Sequence, residues 1–137
     1  MITVVDASVA LKWFVAGEPL ADEAARVLDE IEREPSPYLV PELFMNELLA
    51  VLCRLPDSRP AKVQEAIALV EALGMTRVGN GHDLLALAAD FAGRWKLSGY
   101  DAVHVALAAS CDGVWLTADA RAARRIARSR LVRLLGR

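Results

Sequence analysis

A short β-branched run at residues 2–5 ends abruptly in the carboxylate of Asp6. Apolar side chains then continue in a helical pattern over residues 7–15. A strand that is apolar on both faces and leads into a helix is typical of the buried parallel strands of α/β proteins. Because ligands of open α/β sheets bind just beyond the carboxyl ends of the strands, we predict that Asp6 belongs to a functional site rather than to a core.

Composition narrows the class of protein. The 137 residues are 55% hydrophobic and 25% charged, with a formal net charge of −2. This length favours a single domain, and the near balance of charge argues against binding nucleic acid through overall charge. Cys53 and Cys111 form no motif, so we interpret them as two buried free thiols in a reducing compartment. With no apolar run of membrane-spanning length and an early Asp6, we expect a cytoplasmic protein with no signal peptide and no membrane partner.

Strand-like and helix-like segments alternate along the chain. The predicted strands are residues 2–5, 38–40, 75–78, 114–117 and 131–134. Helical patterns fill the intervals, and the last is predicted to run from Asp119 to about Arg128. The alternation predicts an α/β fold, a three-layer α/β/α domain around a mostly parallel sheet of four to five strands. The first strand should be central, and the third should lie near an edge.

Three aspartates stand at predicted helix starts, where each has a local explanation. Asp6 and Asp119 occupy N-cap positions, and a cap is worth only about 1 kcal/mol. Asp101 fits a capping box that begins at Ser98. Taken alone, each of these residues is interpreted as a cap.

Glu47 is harder to explain by local structure. On its predicted helix it has apolar neighbours, among them Phe44 and Val51. A carboxylate in an apolar face is costly unless a cation or metal compensates its charge. A solvent-facing salt bridge remains the alternative.

Considered together, the four acids predict a metal site. Asp6 and Asp119 follow strands that are neighbours in a doubly wound sheet, while Asp101 and Glu47 lie on helices next to those strands. Carboxylates that share a pocket raise one another's pKa, and a hard divalent cation relieves that repulsion. Oxygen ligands favour Mg²⁺ or Mn²⁺ over zinc.

Four motifs occur in order along the chain: VVDAS at 4–8 with LKWF at 11–14, Pro41 followed by NEL at 46–48, YDAVHVALA at 100–108, and LTAD at 116–119. With these motifs the chain resembles the PIN-domain family, specifically the VapC-type ribonuclease toxins of prokaryotic toxin–antitoxin pairs. The resemblance implies one PIN-like domain over residues 1–137. It also implies an acidic site in which Asp6, Glu47, Asp101 and Asp119 are the catalytic residues and metal ligands, with the hydroxyls of Ser8 and Thr117 nearby. An additional acid that some members carry near the fourth has no counterpart around Arg121.

The resemblance implies a Mg²⁺- or Mn²⁺-dependent endoribonuclease, the toxin component of a type II toxin–antitoxin pair. The implied partners are an RNA substrate, a cognate antitoxin and a second copy in a homodimer. Trp13 and Phe14 are candidates for an antitoxin groove, although we prefer core packing for both. The alternative function is a non-catalytic PIN-like module that binds protein or RNA. A phosphotransferase of the haloacid-dehalogenase type would need a second aspartate where Ser8 stands.

Basic and histidine side chains complete the candidate residues. Four arginines recur at helical spacing after Asp119 and are predicted to contact RNA phosphates, with a solvated helix face as the equal alternative: Arg121, Arg124, Arg125 and Arg128. His104 follows Asp101 by three residues and is interpreted as a packed or capping histidine rather than a base. The same holds for His82.

Overall fold

The computed structural model of the chain describes residues 1–126 and 129–137. Within them the chain forms five strands and seven α-helices. In chain order these are β1 Thr3–Val5, α1 Ala7–Ala10, α2 Ala21–Arg33, β2 Tyr38–Pro41, α3 Leu43–Cys53, α4 Pro60–Ala72, β3 Thr76–Val78, α5 His82–Trp95, α6 Gly99–Ser110, β4 Val114–Thr117, α7 Ala120–Arg125 and β5 Val132–Leu134. Short 3₁₀ turns cover Leu11–Trp13 and Ser129–Leu131.

The five strands form one parallel sheet in the order β3-β2-β1-β4-β5. The prediction that the first strand is central is therefore confirmed, as is the prediction of an edge position for the third strand. Strand order reverses direction between β1 and β4, so the crevice beyond their carboxyl ends is the switch point where ligands bind in such sheets. Asp6 follows β1 and Asp119 follows β4 at this crevice.

Alternating side chains of the strands supply two cores. Val5 and Leu116 face one side, where they join Phe44 in a core under α1 to α4. Val4 and Trp115 face the other side and join the core under α5 to α7. These two cores on opposite faces of one sheet confirm the predicted three-layer α/β/α fold.

Two helices end earlier than their patterns predict. The helix expected over residues 7–15 is α1 followed by the 3₁₀ turn. The last helix ends at Arg125, because Ile126 adopts an extended backbone (φ −84°, ψ 111°) and its side chain is buried in the second core. Arg128 lies outside the described residues.

The prediction of two buried thiols is half wrong. Both cysteines are free, but Cys53 is exposed and Cys111 is partly buried. Cys53 is the residue after the buried Leu52 at the end of α3. One residue turns about 100° around a helix, so the thiol points away from the core. Among residues 1–126 and 129–137, no helix has the length and apolar character needed to span a bilayer.

Candidate metal centre

The two oxygens of the Asp6 carboxylate have different surroundings. Asp6 is the N-cap of α1, and its Oδ2 accepts hydrogen bonds from Ser8 N at 3.1 Å, from Ser8 Oγ and from Thr117 Oγ1 at 3.3 Å. Its Oδ1 lies 3.6 Å from Nε2 of His104. The buried carboxylate is therefore fixed by one oxygen while the other faces the crevice.

The hydroxyls of Ser8 and Thr117 tie this corner together. Ser8 Oγ accepts a hydrogen bond from Ala118 N at 2.9 Å, and Thr117 Oγ1 accepts one from Asp119 N at 3.1 Å. The start of α1 is thereby joined to the turn between β4 and α7. Both hydroxyls lie beside Asp6, and what they contribute to chemistry stays a prediction.

Glu47 and His104 face each other inside the crevice. Oε1 of Glu47 lies 3.3 Å from Nε2 of His104, whose side chain is fully buried while that of Glu47 is 25% exposed. Burial raises the pKa of Glu47 from 4.5 to about 7; nearby His104 opposes this, and the charges of Asp6 and Asp101 add to it. The carboxylate of Glu47 is thus largely buried, with a histidine opposite it.

Asp101 and Asp119 stand at the margin of the crevice. Asp101 is half-buried in the first turn of α6, where Ser98 Oγ accepts a hydrogen bond from its backbone N–H at 3.0 Å. Burial raises the pKa of Asp101, and the charges of Asp6 and Asp119 raise it further. Asp119 is exposed, and its Oδ1 caps α7 through the N–H groups of Arg121 and Ala122. The two other aspartates are therefore close enough to Asp101 to act on its carboxylate.

The tightest group differs from the predicted set of four acids. One ligand atom from each of Asp6, Glu47 and His104 lies within 4.8 Å of the others, whereas Asp101 and Asp119 are not part of this group. His104 packs against Trp115, with ring centroids 5.8 Å apart, and its Nδ1 contacts the Tyr100 carbonyl oxygen at 2.9 Å. It is a packed histidine, as predicted, but its other nitrogen faces the acids. The signal was available, because its position three residues after Asp101 puts both side chains on neighbouring parts of one helix face.

The donor set fits a divalent cation. Oε1 of Glu47 and Nε2 of His104 are buried and have no hydrogen-bond partner within the part of the chain that the structure describes. Carboxylate oxygens and an imidazole nitrogen are ordinary ligands of divalent metals. A cation between these atoms would satisfy both of them.

The arginines of α7 differ in what their side chains contact. Arg121, Arg124 and Arg125 are exposed on α7, but Arg125 Nη1 donates a hydrogen bond to the carbonyl of Lys96 after α5 at 2.9 Å. Arg124 instead lines a cavity of about 400 Å³ between α7 and β5, together with Arg133 and Arg137. We call it the basic cavity; its lining includes Ala120, the residue that follows Asp119. Contact of these residues with RNA stays a prediction.

A larger cavity, of about 450 Å³, lies away from the acids and contains none of them. Its walls are mainly apolar and include Trp13, Phe14 and Leu69. Trp13 and Phe14 also pack against the first core, and Trp13 Nε1 donates a hydrogen bond to the Ala24 carbonyl at 2.9 Å. Both aromatic residues therefore serve core packing, as preferred from the sequence, and also border an open apolar surface.

Comparison with known proteins agrees with this architecture. The family described as PIN domain matches residues 3–129. VapC20 of Mycobacterium tuberculosis, titled a sarcin-ricin loop cleaving toxin, superposes with a TM-score of 0.72 at 17% identity, covering 89% of this chain and 93% of its own. A toxin–antitoxin complex from Klebsiella pneumoniae gives 0.69 at 16% identity, covering 96% and 95%. VapBC2 of Rickettsia felis, bound to a promoter DNA fragment, gives 0.71 at 10% identity and covers 96% of each chain.

No curated protein matches the sequence. The structural similarities, at identities of 10–17%, show a shared fold. The family match spans nearly the whole chain and includes all four predicted acids. This chain therefore belongs to the PIN domain family.

Proposed function

We propose that this protein is a metal-dependent endoribonuclease and the toxin of a type II toxin–antitoxin pair. The observation that carries the proposal is the meeting of Asp6, Glu47 and His104 within 4.8 Å at the switch point of the sheet. Asp101 and Asp119 stand beside them. Solved structures of the same fold that are titled as toxins or toxin–antitoxin complexes support this assignment.

Asp6, Glu47, Asp101 and Asp119 would hold Mg²⁺ or Mn²⁺. Such an ion lowers the pKa of a bound water and stabilises negative charge on a phosphoryl group. Asp6 is pre-oriented for binding by the three hydrogen bonds to its Oδ2. Glu47, whose Oε1 is buried without a hydrogen-bond partner in the described part of the chain, would hold the ion or orient its bound water.

The basic cavity supplies the attraction that an acidic site lacks. Arg124, Arg133 and Arg137 present guanidinium groups close to the turn that holds Asp119. Phosphate contacts of this kind give affinity that does not depend on sequence and falls with salt. We propose that the RNA backbone passes over this cavity toward the acids.

The apolar cavity is the proposed docking surface for the antitoxin. Leu69 on its wall is 56% exposed, next to Trp13 and Phe14. An exposed apolar surface of this kind is typical of partner binding. A homodimer is expected from the family resemblance, and a cytoplasmic location from the sequence pattern.

The test is cleavage of mixed cellular RNA by the purified chain in Mg²⁺, in Mn²⁺ and in EDTA. Cleavage should require metal and should fall by about a hundredfold or more in Asp6→Asn. Asp22→Asn, which changes an exposed acid in the first turn of α2, is the matched control and should cut normally. Equal activity of Asp6→Asn and the parent would refute the site, and a folded protein that binds RNA without cutting it would favour the non-catalytic module.

A further inference from the structure

We infer that His104 is itself a ligand of the metal through Nε2, and that this nitrogen shifts the preference of the site from Mg²⁺ toward Mn²⁺. The inference rests on the proposed metal-dependent function. It adds a nitrogen ligand to a site whose sequence-based ligands are all carboxylates.

The distances fit three ligands around one ion. Nε2 of His104 lies 3.3 Å from Glu47 Oε1 and 3.6 Å from Asp6 Oδ1. Two atoms that each lie about 2.1 Å from the same metal are roughly 3.0 to 3.4 Å apart in octahedral or tetrahedral geometry. The two separations at His104 need little movement to meet this range, and the ligand atoms of Asp6 and Glu47 lie within 4.8 Å of each other.

The orientation of the ring is that of a metal ligand. Nδ1 lies 2.9 Å from the carbonyl oxygen of Tyr100. A carbonyl only accepts, so Nδ1 carries a hydrogen, and in the neutral ring Nε2 then presents a lone pair. Metal-ligating histidines almost always donate their other N–H to a carbonyl or carboxylate in this way. Tyr100 thereby fixes both the tautomer and the direction of Nε2.

The burial of His104 Nε2 and Glu47 Oε1 supports a cation bound between them. His104 is 0% exposed, and its Nε2 has no hydrogen-bond partner in the described part of the chain; the same holds for Glu47 Oε1. The competing explanation is an imidazolium that forms an ion pair with the two acids. Charge-assisted N–H···O bonds are short, about 2.7 to 2.9 Å, whereas both contacts here are longer and lack hydrogen-bond geometry. A lone pair that faces two carboxylates calls for a cation.

A nitrogen ligand changes which metal the site prefers. Mg²⁺ takes oxygen ligands and keeps much of its water, while imidazole suits transition metals. Mn²⁺ accepts both carboxylate and imidazole ligands. The site should therefore bind Mn²⁺ more tightly than a carboxylate-only site would.

The direct test is pulsed electron paramagnetic resonance of Mn²⁺ bound to the full chain, prepared with ¹⁴N- or ¹⁵N-labelled histidine. We expect a nitrogen coupling that changes with the label. The chain has two histidines, and the exposed His82 at the start of α5 serves as control. His82→Asn should keep the coupling and His104→Asn should lose it. The labelled His82→Asn protein, whose remaining histidine is His104, decides the question even if the His104 variant folds poorly.

Affinity provides the second measurement. By calorimetry, His104→Asn should weaken Mn²⁺ binding about tenfold or more and Mg²⁺ binding by less. Bound Mn²⁺ without a histidine coupling would overturn the inference, and metal-dependent cleavage by that same protein would leave the proposed nuclease standing. Failure to bind Mn²⁺ together with absence of metal-dependent cleavage would overturn both.

Discussion

The buried carboxylate of Glu47 should make the metal-free protein less stable as pH rises, and Glu47→Gln should remove that loss. The pKa of Glu47 is raised from 4.5 to about 7 in the folded chain, chiefly by burial. Below 4.5 both the folded and the unfolded states hold the proton, and no penalty exists. Between these values the unfolded chain releases the proton while the folded chain keeps it, so the free energy of unfolding falls as pH rises. Above pH 7 the penalty is complete.

Its size follows from the two pKa values. A tenfold change in a proton's dissociation constant is about 1.4 kcal/mol, so the folded state bears a penalty of about 3 kcal/mol at pH 8. Some of the proton release has already occurred in the unfolded chain at pH 5. The advantage of Glu47→Gln over the parent should therefore grow by about 2 to 3 kcal/mol between pH 5 and pH 8.

The assay is urea unfolding of both proteins at pH 5 and pH 8 in EDTA. Glu65→Gln, which changes an exposed carboxylate on α4, should follow the parent. Added Mn²⁺ should stabilise the parent at pH 8 by about 2.7 kcal/mol when its concentration is a hundred times the Kd, and should stabilise Glu47→Gln less. If parent and Glu47→Gln lose stability in parallel as pH rises, the reasoning about Glu47 is wrong.

Three further predictions concern a hydroxyl beside Asp6, a glycine packed against the backbone of Ile2, and the basic cavity. Thr117→Val keeps the side-chain shape but removes the hydroxyl that accepts a hydrogen bond from the backbone N–H of Asp119. Chemical denaturation should show a loss of about 1 to 3 kcal/mol in the free energy of unfolding. An unchanged denaturation midpoint would contradict this role. In Gly113→Ala the new Cβ would lie 2.5 Å from the Ile2 carbonyl oxygen. Thermal melting should therefore show a loss of about 1 to 3 kcal/mol in the free energy of unfolding. The control Gly93→Ala, whose Cβ meets open space on α5, should instead gain about 0.5 to 1 kcal/mol. Arg124→Glu should weaken RNA binding and lower its salt slope by about one, and an identical slope would remove the basic cavity from the RNA path.

The layers of the fold and the place of the acids could be predicted because they depend on local pattern. Strands that alternate with helices leave few topologies, and an acid that directly follows a strand must lie at the carboxyl edge of the sheet. Asp6 and Asp119 were placed correctly for this reason. Their capping roles were also predictable, because a cap depends only on the next few residues.

What the sequence withheld depends on contacts between distant segments. His104 shares a helix face with Asp101, but that it faces Glu47 is decided by where α6 and α3, which cover opposite faces of the sheet, stand at its carboxyl edge. The early end of α7 results from burial of Ile126 against the second core. Arg125 likewise finds its acceptor at Lys96, far away in sequence.

The central position of β1 determines when, during synthesis, the side chains around Asp6 can come together. Asp6 precedes all of its partners in the chain: they come from α3, from α6 and finally from the turn after β4, with Asp119 lying 113 residues further on. Since β4 pairs with β1 and its Thr117 hydroxyl helps to fix Asp6, the carboxylates cannot be held in place before β4 has left the ribosome. The group of side chains around Asp6 can therefore form only after the segment through β4 has been synthesised.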